Sequence, residues 1–180
     1  MIHLPSRRRQ RIFGAYDSRS SSVLYYPAVS ELGKWHLAQY NIARLLAPLD
    51  SPQLADFVGN LDRINQVGDR SPGFVWRHQT AEGNSTAVRV RGDPMIVINF
   101  SVWEDADSLF EYTYRSDHAE VFRRRREWFD PHDGYYLVLW WVAAGHEPDV
   151  EEAEERLNYL QEHGPTPHAF TLKERFPPPQ

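Results

Sequence analysis

His118, in YRSDHAEVFRRRREWF, is the side chain best suited to chemistry, because imidazole changes protonation near neutral pH. Helical spacing places His118, Val121, Phe122, Arg125 and Phe129 on one face, with His118 inward and at a helix start. Desolvation and the helix dipole both favour the neutral ring there. A neutral inward imidazole is a general base, a hydrogen-bond donor, a metal ligand, or a packed ring satisfied by a backbone carbonyl. Tyr114, one turn earlier, would donate a hydrogen bond, and Arg77 or Asn65 would steady an oxyanion. Trp76, Trp103, Trp128 and Trp140 are the expected walls around a flat, mostly apolar substrate. Asn41 is the last candidate for substrate contact, since Asn41 and Gln39 are polar on the same strand face as Trp35 and Leu37.

The elements that must hold these residues can be read from their patterns. Trp35–Ala43 alternates as a strand, and Ser51-Pro52 starts a helix carrying Leu54, Phe57, Val58, Leu61 and Asn65 on one face. Phe74–Thr80 is a second strand in which Phe74, Trp76 and His78 share one side. A polar, glycine-punctuated loop follows over residues 81–94. Met95–Trp103 and Tyr135–Ala144 are short and almost continuously apolar, hence strands covered on both faces. Between them one helix covers roughly 105–114, and Asp117-x-x-Glu120 is a capping-box pattern that restarts the chain as a second helix at His118. Asp149 and Glu152 open a further helix, Gly164-Pro165 ends it, and Ala169–Phe176 alternates as an edge strand.

Composition narrows the function classes. A net charge of −5 argues against nucleic-acid or anionic-membrane partners, and the four arginines from Arg123 to Arg126 read as a solvated helix face. The chain has no cysteine, which excludes disulfides, thiolate nucleophiles and thiolate metal sites and fits a reducing cytoplasm. No run reaches transmembrane length. The Ser6-Arg7-Arg8-Arg9 stretch lacks the apolar segment of an export signal. The eight histidines show no HxxxH or HxH spacing, so no dedicated metal centre is expected. Residues 1–33 lack periodicity and are expected as an N-terminal arm, flexible or draped on the surface, ahead of one domain over 34–180.

The order strand, helix, strand, strand, helix, strand is the ferredoxin-like βαββαβ arrangement of the α+β class, here with an added C-terminal helix and strand. Its helices cover one sheet face. The doubly apolar strands then require a cover for the other, and a second copy of the chain packed sheet to sheet would supply it.

The segments HLAQYNIARLLAPL, NLDRIN, RSPGFVWR, NFSVWED, YRSDHAEVFRRRREWF, YLVLWWVAAGHEP and HGPTPHAFTLKERF together resemble the domain of unknown function 3291 family. That resemblance covers roughly residues 36–176 and implies the dimeric α+β barrel superfamily, a homodimer and a pocket between helices and sheet. Relatives in that superfamily imply cofactor-independent monooxygenase chemistry, or a lyase or isomerase, on a small-molecule substrate. A haem-degrading branch uses an Asn on the first strand, a Trp ending the third and a His on the second helix; Asn41, Trp103 and His118 occupy similar elements. The readings are therefore a His-base enzyme without cofactor, a protein binding haem or another small ligand, and a structural or regulatory dimer without catalysis.

Overall fold

The computed structural model describes residues 35–81 and 83–180; the expected arm at 1–33 lies outside them. Four strands form one antiparallel sheet: β1 (Trp35–Arg44), β2 (Phe74–Arg77), β3 (Ile96–Trp103) and β4 (Leu137–Ala143), in the order β2-β3-β1-β4. Helix α1 (Ala55–Asp69) joins β1 to β2, α2 (Ala106–Arg115) and α3 (His118–Arg123) join β3 to β4, and α4 (Val150–His163) follows. That is the α+β, ferredoxin-like arrangement with an added C-terminal helix.

Strand alternation divides the central strands between two environments. Leu37, Trp103, Leu139 and Phe170 pack with Leu109 of α2 on one face. Ala38, Tyr40, Phe100, Val102 and Trp140 pack with Ala153, Leu157 and Leu160 of α4 on the other. The second face is thus covered within the chain, by α4 and by Val88 and Val90 of the polar loop. The premise that a second subunit must cover it is corrected. Alternation shows that a strand is buried on both faces and says nothing about which chain does the burying.

Two further expectations change. Ala169–Phe176 is not a strand: it makes one bridge, Leu139 with Phe170, and then turns as Glu174 N–H donates to Thr171 Oγ1 over 3.1 Å. Its aromatic residues lie over Trp141 instead, whose indole N–H donates to the Phe176 carbonyl over 2.8 Å. In β2 the pairing runs Phe74 with Trp103 and then Trp76 with Val102, a bulge that adds one residue on the β2 side. Phe74 and Trp76 therefore face opposite sides, although simple alternation puts them together.

Gly73 makes the entry to β2 possible. Its φ is +74°, and a Cβ there would stand 2.2 Å from Ser108 Oγ, so strand and α2 meet at this point without a side chain between them. Asp149 caps α4 as expected, accepting from Glu152 N–H over 2.8 Å.

Because α4 does the work assigned to a second subunit, its contact with the sheet carries much of the stability. Leu157 is fully buried, and Leu157→Ala is expected to cost about 3 kcal/mol in urea unfolding.

Candidate active site

A partly open cavity of about 190 Å³ lies between the α1, α2 and α3 side of the sheet and those helices. The sequence places its lining by simple periodicities. Alternation along β1 and β3 brings Asn41 and Asn99 into register on the floor, beside Ser101 and Trp103. The helical stripe of α1 supplies Phe57, Leu61 and Asn65, and α3 supplies His118 and Val121.

The floor carries a chain of hydrogen bonds. Trp103 Nε1–H donates to Ser101 Oγ over 2.9 Å, and the Ser101 hydroxyl donates to Gln39 Oε1 over 3.0 Å. Gln39 Nε2–H then donates to Asn41 Oδ1 over 2.8 Å. An indole nitrogen is a donor only, and with the Ser101 proton given to Gln39, the Gln39 amide meets Asn41 with its N–H end. The chain ends by leaving the Asn41 amide N–H groups for the cavity.

The opposite wall ends the other way. His118 Nδ1 lies 3.1 Å from the Thr113 carbonyl, which can only accept, so Nδ1 bears the proton and Nε2 keeps its lone pair. Burial pushes the His118 pKa down, against the smaller upward pull of that carbonyl, so the ring is neutral at pH 7. The local cause is the chain break between α2 and α3. There Ser116 Oγ accepts from His118 N–H over 3.1 Å and donates to the Tyr112 carbonyl over 2.5 Å. Asp117 makes no side-chain cap bond and stands 3.6 Å from Arg63 instead, which corrects the expected capping box.

Of the residues named from sequence, Asn41, Asn65, Arg77, Trp103 and His118 meet at the cavity. Tyr114 does not. It is 44% exposed, against Phe110 and Phe122, because the break after Arg115 turns the following residues by more than a helical step. Tyr112 takes the place, stacked on Trp103 (centroids 5.0 Å apart) and tilted against His118 (4.7 Å). Burial raises the Tyr112 pKa, so its hydroxyl stays protonated and can donate.

Three tryptophans are also placed elsewhere. The β2 bulge turns Trp76 to the α4 face, against Phe100. Trp140 lies on that face too, its indole N–H held by Glu152 at 2.8 Å. Trp128 is buried with Leu45, Leu54 and Val97, at the end of the helical layer. Arg77 reaches the cavity but is already engaged, with Nε 2.7 Å from Asp69 and Nη1 2.8 Å from the Gly83 carbonyl.

His78 was not singled out by its sequence pattern, yet it lines the cavity. Its Nδ1 lies 3.1 Å from Ser85 Oγ, whose own proton goes to the His78 carbonyl at 2.8 Å, and burial pushes its pKa down. Ser101 and Asn99 were also missed. Their signal was available, since polar residues at alternate positions interrupt the apolar run of β3.

Among the described residues no group of three or more His, Cys, Asp or Glu side chains could hold a metal ion. No described helix is long and apolar enough to cross a membrane. Haem does not fit this site. The Tyr112 ring packs against both Trp103 and His118, and the cavity of about 190 Å³ is little larger than one of about 150 Å³ that binds benzene.

Two predictions follow from the wall. Ser116→Ala is expected to lower stability by about 1 kcal/mol, and Asp117→Ala by a few tenths at most, by urea unfolding. Unfolded imidazoles bind protons near pH 6.5, whereas folded His78 and His118 resist them, so the unfolded state gains protons first on acidification. Stability should therefore fall as pH drops below about 6.5, and less steeply in His118→Gln.

In solved structures the chain is similar to a conserved protein from Methanosarcina mazei Go1, at 17% identity and a TM-score of 0.42, over 59% of this chain and 92% of that one. It is likewise similar to SnoaB, a cofactor-independent oxygenase from Streptomyces nogalater, at 19% identity and a TM-score of 0.42, over 63% and 98% of the two chains. No curated protein matches its sequence. The family is nevertheless shown by residues 36–180, which span every strand and helix described above except the first residue of β1: the chain belongs to the family described as Domain of unknown function (DUF3291).

Proposed function

We propose that this protein is a small-molecule enzyme that abstracts a proton from carbon beside a carbonyl, with His118 as general base. The observation that carries this is the opposed polarity of the cavity, a fixed amide donor at Asn41 and a fixed imidazole acceptor at His118. The substrate oxygen accepts from the Asn41 amide, and an adjacent C–H faces His118 Nε2. As the proton moves to Nε2, the electron pair of the C–H bond becomes an enolate whose charge gathers on the oxygen at Asn41. The imidazolium is steadied through Nδ1–H by the Thr113 carbonyl. Trp103 and Tyr112 are the flat walls, and Asn65 borders the substrate from α1.

The donor role expected of Tyr114 passes to Tyr112, and the oxyanion role expected of Arg77 passes to Asn41. The enolate has two fates. Reprotonation at a second carbon is isomerisation. In the cofactor-independent oxygenation that the family resemblance implies, dioxygen is the co-reactant: a methylene and one O2 give a carbonyl and one water, with the carbon oxidised and oxygen reduced. All the residues this reading uses belong to one chain, so it requires no second subunit.

The test is solvent-deuterium exchange at the methyl group of 4-hydroxyacetophenone, followed by proton NMR. Wild-type protein is expected to accelerate exchange, and His118→Gln to lose about 100-fold or more of that acceleration. His78→Gln should retain most of it. The rate should hold at pH 6.5 and fall on further acidification, because a lowered pKa keeps the base free to lower pH. Equal exchange in wild type and His118→Gln would overturn the assignment of the base.

A further inference from the structure

We infer that the cavity selects a single-ring ligand bearing a carbonyl-type acceptor oxygen, and that Gln39 imposes this choice as a positioning residue by fixing which way the Asn41 amide faces. The inference deepens the reading above and rests on it for the location of the ligand, though not for turnover.

A carboxamide offers a donor end and an acceptor end of nearly the same shape. Which end Asn41 turns to the cavity is therefore set by its neighbours. Gln39 is 4% exposed and does not line the cavity, and Ser101 is 7% exposed, so both lie largely away from bulk water. Trp103, 1% exposed, gives its only proton to Ser101, Ser101 gives its own to Gln39, and Gln39 has only N–H left to offer Asn41. Reversing Asn41 would set N–H against N–H in a dry strand face and leave both donors unsatisfied. Gln39 thus acts on a ligand from one residue away, through polarity.

The rest of the cavity agrees with an acceptor ligand. Among the described residues its lining includes no Asp or Glu, and Tyr112 adds a protonated hydroxyl beside the Asn41 amide. Size limits the ligand further. About 190 Å³ is a little more than the benzene-binding cavity of about 150 Å³, which gives room for one substituted ring inside the walls.

Tryptophan-fluorescence titration with two probes tests this. 4-Hydroxyacetophenone and 4-ethylphenol differ only in a carbonyl oxygen against two hydrogens. Wild-type protein is expected to bind the ketone about tenfold more tightly, the equivalent of one well-made hydrogen bond. Gln39→Glu places an acceptor-only carboxylate beside Asn41, so the amide turns its N–H groups away from the cavity and the preference vanishes or reverses. Gln39→Met removes the link, and the preference should shrink to about twofold. Should Gln39→Glu fail to fold, the Met variant decides. Equal affinities in wild type, or no binding of either probe, would overturn the ligand class. An unchanged preference in both folded variants would overturn the role of Gln39. A ketone preference without deuterium exchange would leave this inference standing and remove the enzyme reading, so the two fail separately.

Discussion

The arrangement depends on one buried donor that has no acceptor function. The Trp103 indole N–H lies in a nearly dry strand face and must be satisfied there, because an orphaned buried donor costs about 1–3 kcal/mol. Ser101 satisfies it and gives its own proton to Gln39, which in turn donates to Asn41. A polar network inside an apolar layer is stable only when every member is paired. Here the pairing runs in one direction, and its end emerges at the cavity wall. What looks like a requirement of packing becomes a fixed dipole presented to a ligand.

The sheet makes this possible by dividing its labour. The α4 face is filled solidly by Tyr40, Phe100 and Trp140, and α4 is tied down where the Tyr40 hydroxyl and Arg91 both meet Glu154. The opposite face carries smaller polar groups at Gln39, Asn41, Asn99 and Ser101, and its helices are held away from the floor by the stacked rings of Trp103, Tyr112 and His118. The β2 bulge serves the same division. It sends the bulk of Trp76 to the filled face and leaves Phe74 and Arg77 at the cavity.

Much of this was legible in the sequence, for identifiable reasons. Period-two and period-3.6 patterns carry face information over whole elements, so β1, β3, β4, α1 and the inward setting of His118 could be read directly. Asn41 and Asn65 were legible as polar interruptions of apolar stripes. The failures fall where periodicity is broken. One extra residue in β2 reverses Trp76, and the break after Arg115 exchanges Tyr114 for Tyr112. Trp128 and Trp140 were misplaced for another reason: large aromatics suit a packed core as well as a cavity wall, and sequence does not distinguish the two. The cover over the second sheet face escaped because α4 has an apolar stripe but carries no address.

The electrostatics of the cavity bear on what it can do with a proton. Among the described residues Arg77 is the only cation of fixed charge in the lining, and the Asp69 carboxylate against its Nε largely cancels its field. Tyr112 is held protonated by burial, and the amides do not titrate in the accessible range. The two imidazoles are left as the groups able to accept a proton, both depressed by burial and therefore free at neutral pH. Of these, His118 packs against the Tyr112 ring that also covers Trp103, and its Nδ1–H is held by a carbonyl that stabilises the cation once formed. A weak base in a dry site transfers a proton readily only when the opposite charge is stabilised at the same moment. The Asn41 amide, turned by Gln39 and anchored through Ser101 at Trp103, is the group placed to do that, which makes the hydrogen-bond chain on the floor and the imidazole on the helical wall two halves of one acid–base device.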